Sequence, residues 1–89
     1  MTRASRKSIT RDPVELACEL NDAAVAAYHQ GQLHKAERLF RRALRLLEEA
    51  EGTDSPDVAN VINSLAAIYE NRCDYQEAER LYERAVNIM

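Results

Sequence analysis

The chain contains itself twice, 42 residues apart. Ala36-Glu37-Arg38-Leu39-Phe40-Arg41-Arg42-Ala43-Leu44 returns as Ala78-Glu79-Arg80-Leu81-Tyr82-Glu83-Arg84-Ala85-Val86. Superposing 12–47 on 54–89 gives ten identities, among them Ala17/Ala59, Asn21/Asn63, Ala24/Ala66 and Arg42/Arg84. Most other apolar positions exchange one apolar residue for another. A fixed period in this range marks a solenoid, whose units bury their apolar sides only against neighbours. The expected fold class is all-α, an α-solenoid of two antiparallel helical hairpins. Such a stack offers a surface for holding partners rather than a reaction centre.

Four helices are legible. Asp12-Pro13-Val14-Glu15 opens the first, with Asp12 as cap, Pro13 suited to the first turn and Glu15 completing a capping box. Ala17, Leu20, Ala24 and Ala27 recur at helical spacing until Gly31. The second runs over about 33–50, with Ala36, Leu39, Phe40, Ala43, Leu44 and Leu47 on one stripe. Glu51-Gly52-Thr53-Asp54 breaks the pattern, with Gly52 as a left-handed stop, and Ser55-Pro56 restarts it. The third helix carries Val58, Ala59, Ile62, Leu65, Ala66 and Tyr69. After a turn at 71–73, Asp74 and Glu77 form a capping box for the fourth, whose stripe is Ala78, Leu81, Tyr82, Ala85 and Ile88. The first copy has Gln32 and Lys35 in place of Asp74 and Glu77, so its second helix begins without that box. Alanines at 24, 36, 43, 66, 78 and 85 read as points of close helix approach.

Length bounds the chain to one domain with a modest core. Apolar residues make up 46% and charged ones 30%, which excludes disorder throughout. No apolar run reaches the ~18 residues that cross a bilayer, so no membrane partner is expected and a cytoplasmic location is the default. Residues 1–11 hold four of the twelve Lys and Arg and none of the fifteen Asp and Glu. They read as a flexible basic tail. The remaining 12–89, read as two repeats over about 12–50 and 55–89, carry eight bases and all fifteen acids, which argues against nucleic acid as a partner. Cys18 and Cys73 match no metal or redox spacing and are expected to be buried or half-buried thiols.

Catalytic and cofactor chemistry finds no support. Gly31 and Gly52 are the only glycines, both at helix ends, so no phosphate loop exists. His29 and His34 lack a third metal ligand nearby. The acidic group Glu48, Glu49, Glu51, Asp54 and Asp57 lacks the ligand order of a calcium loop. No serine has a matching base and orienting acid. Arg38, Arg41, Arg42 and Arg45 form a basic strip read as a solvated face, with Glu37 pairing to Arg41 and Glu48 to Arg45.

Leu65-Ala66-Ala67-Ile68-Tyr69 followed by Tyr75-Gln76-Glu77-Ala78-Glu79-Arg80-Leu81-Tyr82-Glu83-Arg84-Ala85-Val86 resembles a tetratricopeptide repeat. The period and the linker Gly52-Thr53-Asp54-Ser55-Pro56-Asp57-Val58-Ala59 resemble the kinesin-light-chain type in particular. The match is strong in the second copy and weaker in the first, which departs at Ala27 and Leu33, where the second has Tyr69 and Tyr75. The resemblance implies a right-handed superhelix whose concave groove, lined by the first helix of each hairpin, binds a peptide or partner helix. It places Asn21, Val25, Tyr28, Asn60, Asn63, Ala67 and Glu70 toward that groove. An asparagine amide both donates and accepts, so these asparagines suit the clamping of an extended backbone.

The expected function is therefore a non-enzymatic protein-interaction scaffold with no cofactor and no metal. The alternative is a sensor or oligomerisation arm of a larger regulatory protein whose effector domain lies outside this chain. Two units fall below the roughly three that make a self-sufficient stack, and nothing polar seals Leu81, Val86, Ile88 and Met89. Membership of a longer array, or self-association through this uncapped C-terminal helix, is expected to cover them.

Overall fold

The structure, a computed structural model, describes residues 12–88. Four antiparallel helices follow one another: α1 (Pro13–His29), α2 (Leu33–Glu51), α3 (Pro56–Asn71) and α4 (Tyr75–Ile88). No strand occurs among the described residues. α1 packs on α2, α3 packs on α4, and α2 packs on α3 to join the hairpins. The expected all-α solenoid of two hairpins is what forms. The basic leader, 1–11, lies outside the described residues, as does Met89.

The helix ends explain much of the register. Asp12 Oδ1 accepts from the Val14 N–H at 2.8 Å, one residue short of the predicted box with Glu15. Ser55 Oγ accepts from the Val58 N–H at 3.1 Å. Gln32 makes no side-chain cap for α2, whereas Asp74 Oδ1 receives the Glu77 N–H at 3.4 Å. The box at Asp74 is only half made, because the Asp74 N–H already donates to the Tyr69 carbonyl at 2.8 Å. The Glu77 carboxylate turns instead to Arg80, at 3.0 Å.

Both hairpin turns are Schellman motifs. Gly31 donates to the Tyr28 carbonyl and Gln32 to that of Ala27, and Cys73 and Asp74 repeat the pair onto Glu70 and Tyr69. Such a turn needs one residue at positive φ: Gly31 has φ +80°, and Cys73, its counterpart, has φ +64°. A side chain in the left-handed region costs about 1 kcal/mol that glycine does not incur. Cys73→Gly is therefore expected to stabilise the chain by about 0.5 kcal/mol, net of the greater unfolded-state freedom of glycine. Thermal denaturation should show a Tm rise of about 3 °C, and a fall would contradict this account of the turn. At Gly52 the helix stops at positive φ as expected, with φ +89° and ψ 174°. Its N–H closes on the Glu48 carbonyl at 2.9 Å, and the extended, glycine-only ψ then redirects the chain into α3.

The core lies along the two joined hairpins. α3 is the most buried element, with Val58, Ala59, Val61, Ile62, Leu65, Ala66, Ile68 and Tyr69 all inside, covered by α2 on one side and α4 on the other. The alanines at 24, 36, 43, 66, 78 and 85 are all buried, which lets backbones approach where larger side chains would separate them. In the first hairpin the place of Tyr69 is held by Ala27. That residue is buried, and α1 against α2 is the most extensive contact in the chain. Cys18 and Cys73 correct the expectation of buried thiols, since both are exposed. Cys18 sits on the open side of α1, and Cys73 sits in a turn.

A polar joint locks one hairpin to the other. Tyr69 of α3 donates its hydroxyl to Glu37 Oε2 of α2 and accepts from Arg41 Nη2. Arg41 Nε also pairs with Glu37 at 3.1 Å, and Arg72 Nη1 pairs with Glu37 Oε1 at 2.8 Å. Both guanidinium carbons lie under 6 Å from the Tyr69 ring centre, at 5.8 and 5.7 Å. Arg41 stays on the exposed strip in which the sequence placed it and pairs with Glu37 as expected, while its guanidinium also reaches Tyr69. Glu48 does not pair with Arg45. It meets Arg84 of α4 at 2.6 Å, a contact across the repeats.

Candidate partner-binding groove

Helices rise ~1.5 Å and turn ~100° per residue, so residues seven apart share a face about 10 Å apart along the axis. On α3, Asn60 and Ala67 stand in that relation, and on α1 Cys18, Asn21, Val25 and Tyr28 form one row. The two rows face each other across a shallow trough holding two hollows of about 140 Å³ each. The upper hollow is lined by Cys18, Asn21 and Asp22 of α1 and by Asp57, Asn60 and Val61 of α3, above Leu47. The lower is lined by Val25, Tyr28 and His29 of α1 and by Ser64 and Ala67 of α3, above Phe40. Two amides and two carboxylates thus mark one end, and aliphatic and aromatic groups mark the other.

Hydrogen bonds hold the lower end in shape. Asn71 Nδ2 donates to the Tyr28 hydroxyl at 2.7 Å and to the Ala67 carbonyl at 3.0 Å, tying α1 to α3. Ser64 Oγ donates to the Asn60 carbonyl at 3.2 Å. The His29 ring packs edge-on against Tyr28, with centroids 5.7 Å apart. His34 is elsewhere, its Nδ1 accepting from Arg72 at 3.0 Å. Among the described residues no cluster of three His, Cys, Asp or Glu is placed to hold a metal ion. No helix among them is long and apolar enough to cross a membrane.

Five of the seven residues assigned to the groove from sequence stand along the trough: Asn21, Val25, Tyr28, Asn60 and Ala67. Asn63 and Glu70 are not among the residues lining the two hollows. They lie about 60–80° round α3 from Asn60, on the flank toward α4. Glu70 Oε1 there accepts from the Tyr82 hydroxyl at 3.0 Å. That bond, after burial, holds the Tyr82 pKa above its ordinary value. The sequence reading missed Asp22, His29, Asp57, Ser64 and Asn71, together with Phe40 as floor. Helical spacing from Asn60 would have found Ser64 and Asn71.

Two stacked helical hairpins, a small-residue seam and a trough lined by the first helix of each hairpin frame the comparison with known proteins. The tetratricopeptide repeat profile matches residues 15–89. The chain belongs to the tetratricopeptide repeat family. A TPR repeat-containing protein of Dictyostelium discoideum is 34% identical over 58 residues, covering 65% of this chain and 4% of that protein. The chain thus spans a small fraction of that relative's length. Tetratricopeptide repeats are protein-interaction modules and form a non-catalytic repeat family. In repeat terms α1 and α3 are the A helices and α2 and α4 the B helices. The trough of this tetratricopeptide protein is therefore its A-helix surface.

Proposed function

We propose that the chain is a scaffold that holds an extended peptide or partner segment in the trough between α1 and α3, without catalysing a reaction on it. The observation that carries this reading is the pairing of Asn21 and Asn60 about the upper hollow, next to the apolar lower hollow. The amides suit a peptide backbone regardless of sequence. The hollows then add preference. Asp22 and Asp57 favour a Lys or Arg at the upper end, and Val25, Tyr28 and Phe40 favour an apolar side chain at the lower. Their ~10 Å separation along α3 corresponds to about three residues of extended chain. The linker and the 42-residue spacing favour the kinesin-light-chain-like subtype, and we place the chain in the cytoplasm.

A positional-scanning library of fluorescent heptapeptides tests the reading by anisotropy. Selection of one basic and one apolar residue about three positions apart is expected. Asn60→Ala and Val25→Asp should each weaken the selected peptide about tenfold with helicity unchanged. Equal affinity in both variants would remove the trough as the site.

A second reading makes these repeats the sensor or oligomerisation arm of a larger regulatory protein. It is favoured by the match to 4% of a much longer relative. An effector domain encoded in the same reading frame would decide for it.

A further inference from the structure

Along α4 runs a larger hollow, of about 720 Å³, with Tyr75, Ala78, Tyr82 and Val86 as its floor and Glu70, Glu79 and Glu83 among its walls. The floor positions correspond, one repeat earlier, to Leu33, Ala36, Phe40 and Leu44 of α2. That side of α2 is the one α3 packs against, with Ala36 and Phe40 fully buried and Glu37 and Arg41 bonded to Tyr69. α4 keeps the apolar register of an interface, yet Tyr75 is 63% and Val86 71% exposed. Leu81 and Ile88, also expected to be unsealed, are packed on the core instead.

The charges depart from the first repeat. Arg41 is replaced by Glu83 and Tyr28 by Glu70, while Glu79 keeps the place of Glu37. Three carboxylates and no base line the hollow. The two bases of α4 are engaged elsewhere, Arg80 with Glu77 and Arg84 with Glu48. A helix that simply repeated the α2–α3 joint would find the acceptors but not the arginine.

We propose that this face docks a basic amphipathic helix of a partner protein. The helix would lay an apolar stripe on Tyr75, Ala78, Tyr82 and Val86 and set Lys or Arg against Glu79 and Glu83. Those two carboxylates are one helical turn apart, so a helix with bases at i and i+3 or i+4 meets both. α4 has 14 residues, or about 21 Å, which calls for three to four turns in the partner. A second copy of this chain is a poor occupant. Where α3 has buried Val61, Leu65 and Ile68, α1 has Glu19, Ala23 and Ala26, all exposed. Stacking α1 of one copy on α4 of another would bury little apolar surface and set acid against acid.

The test uses the whole chain and a labelled synthetic peptide of Ser55–Arg72 carrying Tyr69→Lys. This peptide keeps the apolar register of α3 and adds a base beside Arg72. Binding by anisotropy is expected, weakening at least tenfold in the Glu79→Lys/Glu83→Lys variant and as salt rises from about 0.05 to 0.3 M. Val86→Asp should also weaken it, while Asn60→Ala, in the trough, should not. A peptide with Tyr69→Glu and Arg72→Glu should fail to bind. Circular dichroism verifies that each variant keeps its helices. No binding, or binding indifferent to charge reversal, overturns the proposal. A chain that dimerises in sedimentation and becomes monomeric with Val86→Asp also overturns it, assigning the face to a second copy.

Discussion

Replacing Phe40 by alanine is expected to leave the chain largely unfolded at room temperature. Phe40 is 2% exposed and floors the lower hollow, where Val25 and Tyr28 of α1 meet Ser64 and Ala67 of α3. The ring therefore fills space shared by both hairpins, and its loss opens a cavity that neither can close alone. Such a truncation costs about 3–5 kcal/mol, against a total of about 5–15 for natural domains and toward the low end for one this small. Urea or thermal denaturation should show a Tm fall of about 15 °C or more, or no cooperative transition. Phe40→Leu, which retains most of the volume, should cost no more than about 1.5 kcal/mol. Tyr82 occupies the same repeat position in α4 but is only half-buried, so Tyr82→Ala should cost much less. Equal losses at the two positions would show that the shared cavity is not what Phe40 supports.

Glu37→Gln is expected to destabilise the chain by about 2 kcal/mol and to change how stability depends on pH. The Glu37 side chain is 18% exposed and accepts from Tyr69, Arg41 and Arg72 at once. Glutamine preserves the shape but removes the charge that two guanidiniums face, and it points amide hydrogens at them. Burial alone would raise the carboxyl pKa. The bonds from Tyr69, Arg41 and Arg72 outweigh it and hold the pKa below the ordinary value. A carboxyl depressed in the folded state contributes stability in full above its unfolded pKa. It loses that contribution as pH falls through the folded value. Tm measured from neutral pH down to about pH 3 should therefore drop more steeply for the natural chain than for Glu37→Gln. The gap between the two curves should narrow over the acid limb. A constant gap would mean that the joint does not depend on an ionised Glu37.

The helices and their order were legible because their signals are local. Caps at Asp12, Ser55 and Asp74, glycines at the two ends and alanines at fixed spacing each act within a turn or two. The joint was not, since Glu37, Arg41, Tyr69 and Arg72 come together only after two hairpins have docked. The bond from Arg41 to Tyr69 accordingly went unseen, and Glu48 was paired with its helical neighbour Arg45 rather than with Arg84. The groove was half legible for a related reason. Repeat correspondence identifies which helix faces a partner but not the angle of each side chain, so Asn63 and Glu70 were carried along with Asn60 although they sit on another flank. Ala27, a departure from the repeat pattern, is buried where α1 and α2 approach closely. The thiols were misplaced because small size alone does not distinguish a seam residue from one on an open side.

Those two exposed thiols bear on any measurement of assembly state. Cys18 borders the upper hollow and Cys73 occupies a surface turn, so both are accessible to oxidants and to each other between molecules. Covalent pairs formed in air would impersonate association and obstruct the trough together. Reductant, or serine at both positions, separates that artefact from true binding. Once Cys73 is replaced, a dye on Cys18 becomes a reporter of whether the trough is filled.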